Sequence, residues 1–212
     1  PLYQDASHSF FNCSLFVGED CENVSVYGEG EIDMRSVWDE ENKRDMVWRG
    51  AKCIALKNCK NVIVRGLGIY NVTDLAVHFA GCENVLIEKL TLRVYIDAIN
   101  LDNSKNAVVR DCNLECGDDG IVFKSSYTLN RLETCENVLV ESCRVKSRCS
   151  AIKFGTETNG GFRDITVRNI EIYETRITGI CIESVDGAII DNIYIGNVTM
   201  KNVGTPIFIH LG

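Results

Sequence analysis

The sequence predicts an all-β chain wound into a parallel β-helix, a single-stranded solenoid with coils of about 22–31 residues. A short phrase keeps returning: Cys21-Glu22-Asn23-Val24-Ser25-Val26, Cys59-Lys60-Asn61-Val62-Ile63-Val64, Cys82-Glu83-Asn84-Val85-Leu86-Ile87 and Cys135-Glu136-Asn137-Val138-Leu139-Val140. Ser104-Lys105-Asn106-Ala107-Val108-Val109 is a further copy, and two degenerate ones follow around Asp164 and Asn192. From Asn61 onward the copies are 23, 22, 31, 27 and 28 residues apart. The intervals hold short alternating strands and no helix-length apolar pattern. Each repeat carries too little apolar surface to fold alone, so the copies must stack.

The strand before each turn fixes the register. Leu75-Ala76-Val77-His78-Phe79 aligns with Asp97-Ala98-Ile99-Asn100-Leu101, Asp119-Gly120-Ile121-Val122-Phe123, Ser150-Ala151-Ile152-Lys153-Phe154 and Thr178-Gly179-Ile180-Cys181-Ile182. Columns 77/99/121/152/180 and 79/101/123/154/182 are wholly apolar and are expected to fill the core, because side chains alternate between the faces of a strand. The column between them, His78, Asn100, Val122, Lys153 and Cys181, is expected to face out. So is the column Leu75, Asp97, Asp119, Ser150 and Thr178. The recurring Asn is read as a structural ladder bonding backbone groups of neighbouring coils.

At 212 residues, 45% hydrophobic and 25% charged, the composition is that of a globular protein. The unbroken repeat makes residues 1–212 one domain, and Pro1 and Gly212, inside a continuing strand pattern, read as crop points. No apolar run approaches the ~18 residues of a membrane span, and no charged-then-apolar leader opens the chain. A net charge of −8 without a basic block argues against nucleic acid as a partner. Eleven cysteines without a paired Cys-x-x-Cys point to buried free thiols rather than zinc. Cys59, Cys82 and Cys135 repeat one position, and Cys112 and Cys143 fall where other copies carry Leu67, Leu90, Ile170 and Val198.

Stacked coils lie ~4.8 Å apart, so Asp97 and Asp119 belong to adjacent coils and point the same way from one sheet. Asp118 precedes Asp119 between Gly117 and Gly120, a setting in which two consecutive side chains reach one cleft. Crowded carboxylates repel, so at least one keeps a proton near neutral pH, the equipment of an acid/base glycosidase. A solvated acidic turn or a calcium site is the plainer alternative. Residues 125–134 account for the 31-residue step and are expected to wall the same cleft. Lys153 projects from the layer after the Asp pair, within reach of a bound sugar, and Glu157 sits at the following bend.

From about Tyr95 to Phe162 the chain resembles glycoside hydrolase family 28, the polygalacturonases and rhamnogalacturonan hydrolases. Tyr95-Ile96-Asp97 stands in the slot of the family's Asn-Thr-Asp. Gly117-Asp118-Asp119-Gly120-Ile121-Val122-Phe123-Lys124-Ser125 is similar to the segment running from its Gly-Asp-Asp to its Lys-Ser. The resemblance implies a right-handed helix and an inverting hydrolase that uses no metal or other cofactor. It makes Asp118 the general acid and gives the attacking water to Asp97 and Asp119. It also implies a polysaccharide or oligosaccharide substrate, a secreted or periplasmic location and a monomer.

Two motifs differ from the family pattern. Ser150 replaces the histidine of Gly-His-Gly, and Cys181-Ile182-Glu183 replaces Arg-Ile-Lys, the basic pair that grips a galacturonate carboxylate. Either Lys153, Arg148 or Lys124 supplies the cation instead, or the sugar in that subsite is neutral. Lys153, Asn100, His78, Lys124, Ser150 and Glu157 are the expected substrate-binding residues. Two other classes stay open: a calcium-dependent, pectate-type lyase with Lys153 or Lys124 as its base, and a non-catalytic carbohydrate-binding β-helix.

Overall fold

The computed structural model describes residues 11–35 and 50–212. The single domain expected over 1–212 therefore includes two stretches, 1–10 and 36–49, that lie outside the described residues. Among the described residues are eighteen strands, all paired in parallel, and no α-helix. The chain winds as a right-handed parallel β-helix.

Three stacks of strands form its faces. The first contains Lys52–Lys57, Val77–Ala80, Ile99–Asp102, Ile121–Ser125 and Ser150–Thr158. The second contains Glu22–Tyr27, Lys60–Arg65, Glu83–Glu88, Lys105–Arg110 and Cys135–Glu141. In the third are Glu31–Asp33, Gly68–Tyr70, Thr91–Val94, Asn113–Cys116 and Arg144–Ser147. The long strand Phe162–Ser184 pairs in turn with the second, third and first stacks, and Ile190–Leu211 pairs along it.

The expected register holds. Val77, Ile99, Ile121, Ile152 and Ile180 are successive partners, as are Phe79, Leu101, Phe123, Phe154 and Ile182. All but Ile182, which is partly buried, belong to the buried core. Phe123 and Phe154 stack with ring centroids 4.5 Å apart, and Phe162 meets Phe154 edge-on at 5.5 Å. Each such side chain contributes about 1.5–3 kcal/mol through burial. Cys59, Cys82, Cys112, Cys135 and Cys143 are free and buried, as their columns require.

The two outward columns depart from expectation. They lie off the core, yet His78, Asn100, Val122 and Leu75 are fully buried, and Asp97, Asp119, Ser150, Thr178 and Cys181 nearly so. Alternation sets a side chain's direction but not what covers it. Phe11 packs edge-on against His78 at 5.9 Å. Residues 125–134 fold against the end of this face, where Leu129 is buried. The Ser126 backbone N–H donates to Asp102 Oδ1 at 2.9 Å, and Asn103 Nδ2 donates to the Ser126 carbonyl at 2.9 Å. This loop therefore sits at the C-terminal end of Ile99–Asp102, opposite the end that carries Asp97, and does not wall the aspartates.

The Asn ladder is real but bonded differently. Each side chain donates to the Asn one coil earlier: Asn61 to Asn23 and Asn84 to Asn61 at 3.1 Å, Asn106 to Asn84 at 3.3 Å, Asn137 to Asn106 at 2.6 Å. The ladder bonds run from amide to amide rather than from amide to backbone. These five residues hold φ between 53° and 59°, the left-handed region that Asn tolerates better than other residues with a Cβ. The ladder residue thus turns the chain and ties the coils at once. Replacing Asn106 by Ala removes two ladder bonds and leaves a Cβ-strained turn, an expected loss of about 1–2 kcal/mol in denaturant unfolding. Asn106→Gly should recover about half of it; equal losses for Ala and Gly would show that backbone conformation contributes nothing here.

Candidate active site

The site is built where the chain bends from the third stack into the first. The first-stack strands begin at Ile99 and Ile121, so Asp97 and Asp119 precede them on the bends. Strict alternation does not apply there: Ala98 and Ile99 both turn into the core, while Asp97 turns out. Adjacent coils touch backbone to backbone at this point. A Cβ on Gly117 would meet the Tyr95 carbonyl oxygen at 2.0 Å, and one on Gly120 would meet that of Ala151 at 2.4 Å. Both glycines are required by this close approach.

The carboxylates of Asp97 and Asp119 each bind the next coil. Asp97 Oδ1 accepts from the Asp119 backbone N–H at 3.1 Å, and its Oδ2 accepts from Asn100 Nδ2 at 3.1 Å. Asp119 Oδ1 accepts from the Ser150 backbone N–H at 2.9 Å, and Lys153 Nζ lies 3.1 Å from its Oδ2. Lys153 also reaches Glu183 at 3.8 Å, and Lys124 pairs with Glu157 at 3.0 Å. Burial, then the Asp119 charge, push the Asp97 carboxyl up to about 6, with Lys124 opposing and Asp118 reinforcing the shift. Burial disfavours the Lys153 charge, but the Asp119 and Glu183 carboxylates outweigh it and hold its pKa above the ordinary lysine value.

Asp118 differs from its two neighbours. It is half-buried, and among the described residues its carboxylate has no hydrogen-bond or ion-pair partner. Its backbone alone is engaged: the N–H donates to the Ile96 carbonyl at 3.4 Å, and the carbonyl accepts from the Ser147 hydroxyl and the Cys116 thiol. Donor atoms of Asp118, Asp119 and Cys149 lie within 4.8 Å of one another. Burial and the Asp119 charge push the Cys149 thiol up to about 12, and Lys153 already occupies Asp119 Oδ2. A neutral thiol and an ion-paired carboxylate make a poor cation cage and a good environment for holding or passing a proton.

Asp97, Asp118, Asp119, Asn100, Ser150 and Lys153 thus come together, with the Lys124–Glu157 pair close enough for Lys124 to act on Asp97. His78 does not join them at a surface: it neighbours Asn100 on the adjacent strand, fully buried against Phe11. Glu157 falls within the strand Ser150–Thr158 rather than at a bend. Ser150 serves through its backbone N–H. Cys149 escaped the sequence reading, although it occupies the coil position of Asp118. Beside the bend, a groove of about 600 Å³ runs along the third stack, with Tyr95, Gly117, Ser147, Arg148 and Arg176 in its lining.

The profile of the family described as glycosyl hydrolases family 28 matches residues 4–211. An endo-polygalacturonase of Pectobacterium parmentieri is 25% identical over 218 residues, covering 93% of this chain and 53% of that protein. A probable polygalacturonase of Vitis vinifera is 24% identical over 204 residues, covering 90% of this chain and 41% of its own length. The chain therefore spans about half the length of these relatives or less. Among solved structures, a hyperthermoactive exopolygalacturonase from Thermotoga maritima superposes with a TM-score of 0.77 at 22% identity, over 91% of this chain and 55% of that one. The polygalacturonase from Erwinia carotovora ssp. carotovora gives 0.78 at 21% identity, over 92% and 55%.

A testable consequence concerns Asp97. Its folded-state value of about 6 lies above the ordinary 3.8, so the folded state binds the extra proton. Its favourable contribution is complete below pH 3.8 and is lost as pH rises through about 6. Asp97→Asn should therefore be more stable than the parent at pH 7, by roughly 1–3 kcal/mol. Asn100 Oδ1, buried without a hydrogen-bond partner among the described residues, can accept from the new amide if Asn100 turns over. Denaturant unfolding between pH 4 and 7 checks this: an advantage that does not shrink toward pH 4 would remove the buried-proton account.

Proposed function

The chain belongs to glycosyl hydrolases family 28, and from that membership we propose that it hydrolyses glycosidic bonds of a pectin-type polysaccharide with Asp97, Asp118 and Asp119. The observation that supports this most is the division of labour at the bend. One carboxyl is accessible and unpaired, while the other two are buried, aligned and held by hydrogen bonds.

Asp118, the accessible one, is the general acid that protonates the departing glycosidic oxygen. Asp97 and Asp119 hold and deprotonate the attacking water. Their ligands fix their orientation: Asn100 and the Asp119 N–H on Asp97, the Ser150 N–H and Lys153 on Asp119. Inverting pairs stand ~6.5–9.5 Å apart to admit a water, whereas Asp118 and Asp119 have oxygens within 4.8 Å. Single displacement with inversion thus requires the Asp118 side chain to swing away from Asp119 as the sugar enters, a motion its lack of partners permits. A polymer too large to cross a membrane implies action outside the cytoplasm, in a secreted or periplasmic setting.

Incubated with pectic and neutral glycans in chelator, the protein is expected to release new reducing ends without unsaturated product. Unsaturated product that vanishes with chelator would instead identify a calcium-dependent lyase. Asp118→Asn should lower kcat by about 10²–10⁴ while sugar binding persists. The pH profile tests Asp97 by its sign. As a base it must be ionised, so kcat/KM should rise with pH through about 6; a fall through that value would move the catalytic proton to Asp97.

A further inference from the structure

The groove beside the bend holds charge that the aspartate chemistry does not use. Successive coils place Tyr95, Gly117 and Arg148 at one position, and Arg176 follows on the next coil, in the stretch where the register shifts by one residue between Val145–Ile172 and Ser150–Thr178. The Tyr95 N–H donates to Val72, that of Gly117 to Val94 and that of Arg148 to Cys116. Ser147 and Ile177 bond Thr175 and Cys149 on either side of the last step. This column lies two residues before that of Asp97, Asp119 and Ser150. Its rungs are about 4.8 Å apart, the ordinary strand spacing and of the order of one pyranose ring.

The members suit a sugar chain. Tyr95 is 55% exposed, its hydroxyl 3.5 Å from Asn71 Oδ1, and presents an aromatic surface. Gly117 keeps the floor low, since a Cβ has no room there. Arg148 and Arg176 are exposed. The remaining charges of the groove offset one another: Arg93 lies 3.9 Å from Glu115, and Lys146 lies 2.7 Å from Glu174. Among the described residues, Arg148 and Arg176 have no ion pair. Two uncompensated guanidinium groups on adjacent coils therefore stand out in a chain of net charge −8.

We propose that this groove is an anion-recognising subsite for a polysaccharide, in which Arg148 and Arg176 hold carboxylate or sulfate groups on successive sugar units and Tyr95 supports a ring face. The guanidinium fork matches such groups in two-point hydrogen bonds. The identity of the ligand as a polysaccharide rests on the glycosidase reading; the uncompensated charge does not. Gly117 joins the groove to Asp118, so a chain held by the arginines runs on to the carboxyls. Recognition of acidic groups then lies upstream of the aspartates, while Cys181 and Glu183 downstream offer no cation.

Binding calorimetry with three probes tests this: a galacturonate oligomer, a sulfated galactan oligomer and a neutral galactan oligomer. The parent is expected to bind at least one anionic probe ten or more times more tightly than the neutral one, with the preference shrinking as salt is added. The double variant Arg148→Gln/Arg176→Gln should lose that preference with its melting temperature and neutral-probe affinity unchanged. Which anionic probe is preferred identifies the group recognised. A parent without preference for either anionic probe, or a double variant that keeps it, overturns the subsite. Turnover without arginine-dependent binding would sink the subsite alone, and arginine-dependent binding without new reducing ends would sink the hydrolase reading alone.

Discussion

Everything in this molecule depends on the fixed parallel register between coils. In a β-ladder a slip of one residue turns every side chain to the opposite face. Here the Ile and Phe columns, the buried thiols and the Asn ladder all select the same alignment. Backbone contact at Gly117 and Gly120 leaves no slack at the bend. Residues 97, 119 and 150, far apart in sequence, are thereby locked into a single column. Each carboxylate in that column can then bind the N–H of the coil above it. The geometry of the site is a by-product of the solenoid repeat.

How much of this was legible in the sequence follows from that dependence. The apolar columns could be read because alternation and repeat length are both properties of the chain alone. The convergence of Asp97, Asp118 and Asp119 followed from the same alignment. Burial of His78 could not be read, since Phe11 reaches it from elsewhere in the chain. The Asn ladder was visible as a repeat, but whether an amide bonds backbone or its own kind depends on φ, which the repeat does not show. Cys149 was readable in principle, because it shares the column of Asp118, yet only the acidic members of that column attract notice.

The departures from the family pattern form a coherent set. Lys153 stands beside Cys181 in register, and its ammonium bridges Asp119 and Glu183. A lysine at 183 would face Lys153 and leave like charges together in a half-buried place. Removing one partner from such a pair is costly because it strands the other without water. Ser150 fits the same scheme: with Lys153 on one oxygen of Asp119 and the Ser150 N–H on the other, both oxygens are held without the side chain at position 150. Glu157 completes the balance by holding Lys124. Asp97 has no such cation in contact, and burial with the Asp119 charge pushes its carboxyl up to about 6.

On the proposed roles, capture and chemistry are separated by depth. Arg148 and Arg176 lie in solvent, where salt screens attraction beyond about 8 Å at physiological ionic strength. The Asp97, Asp119 and Lys153 groups are shielded from water, so their mutual interactions persist under the same conditions. Asp118 stands at the boundary, joined to the groove through Gly117 and to the buried column through Asp119. A half-buried acid in that place can meet a substrate oxygen without exposing the carboxylates behind it. The bend turns one column outward and the next inward, so on the proposed roles two residues of chain are enough to keep grip and proton control apart.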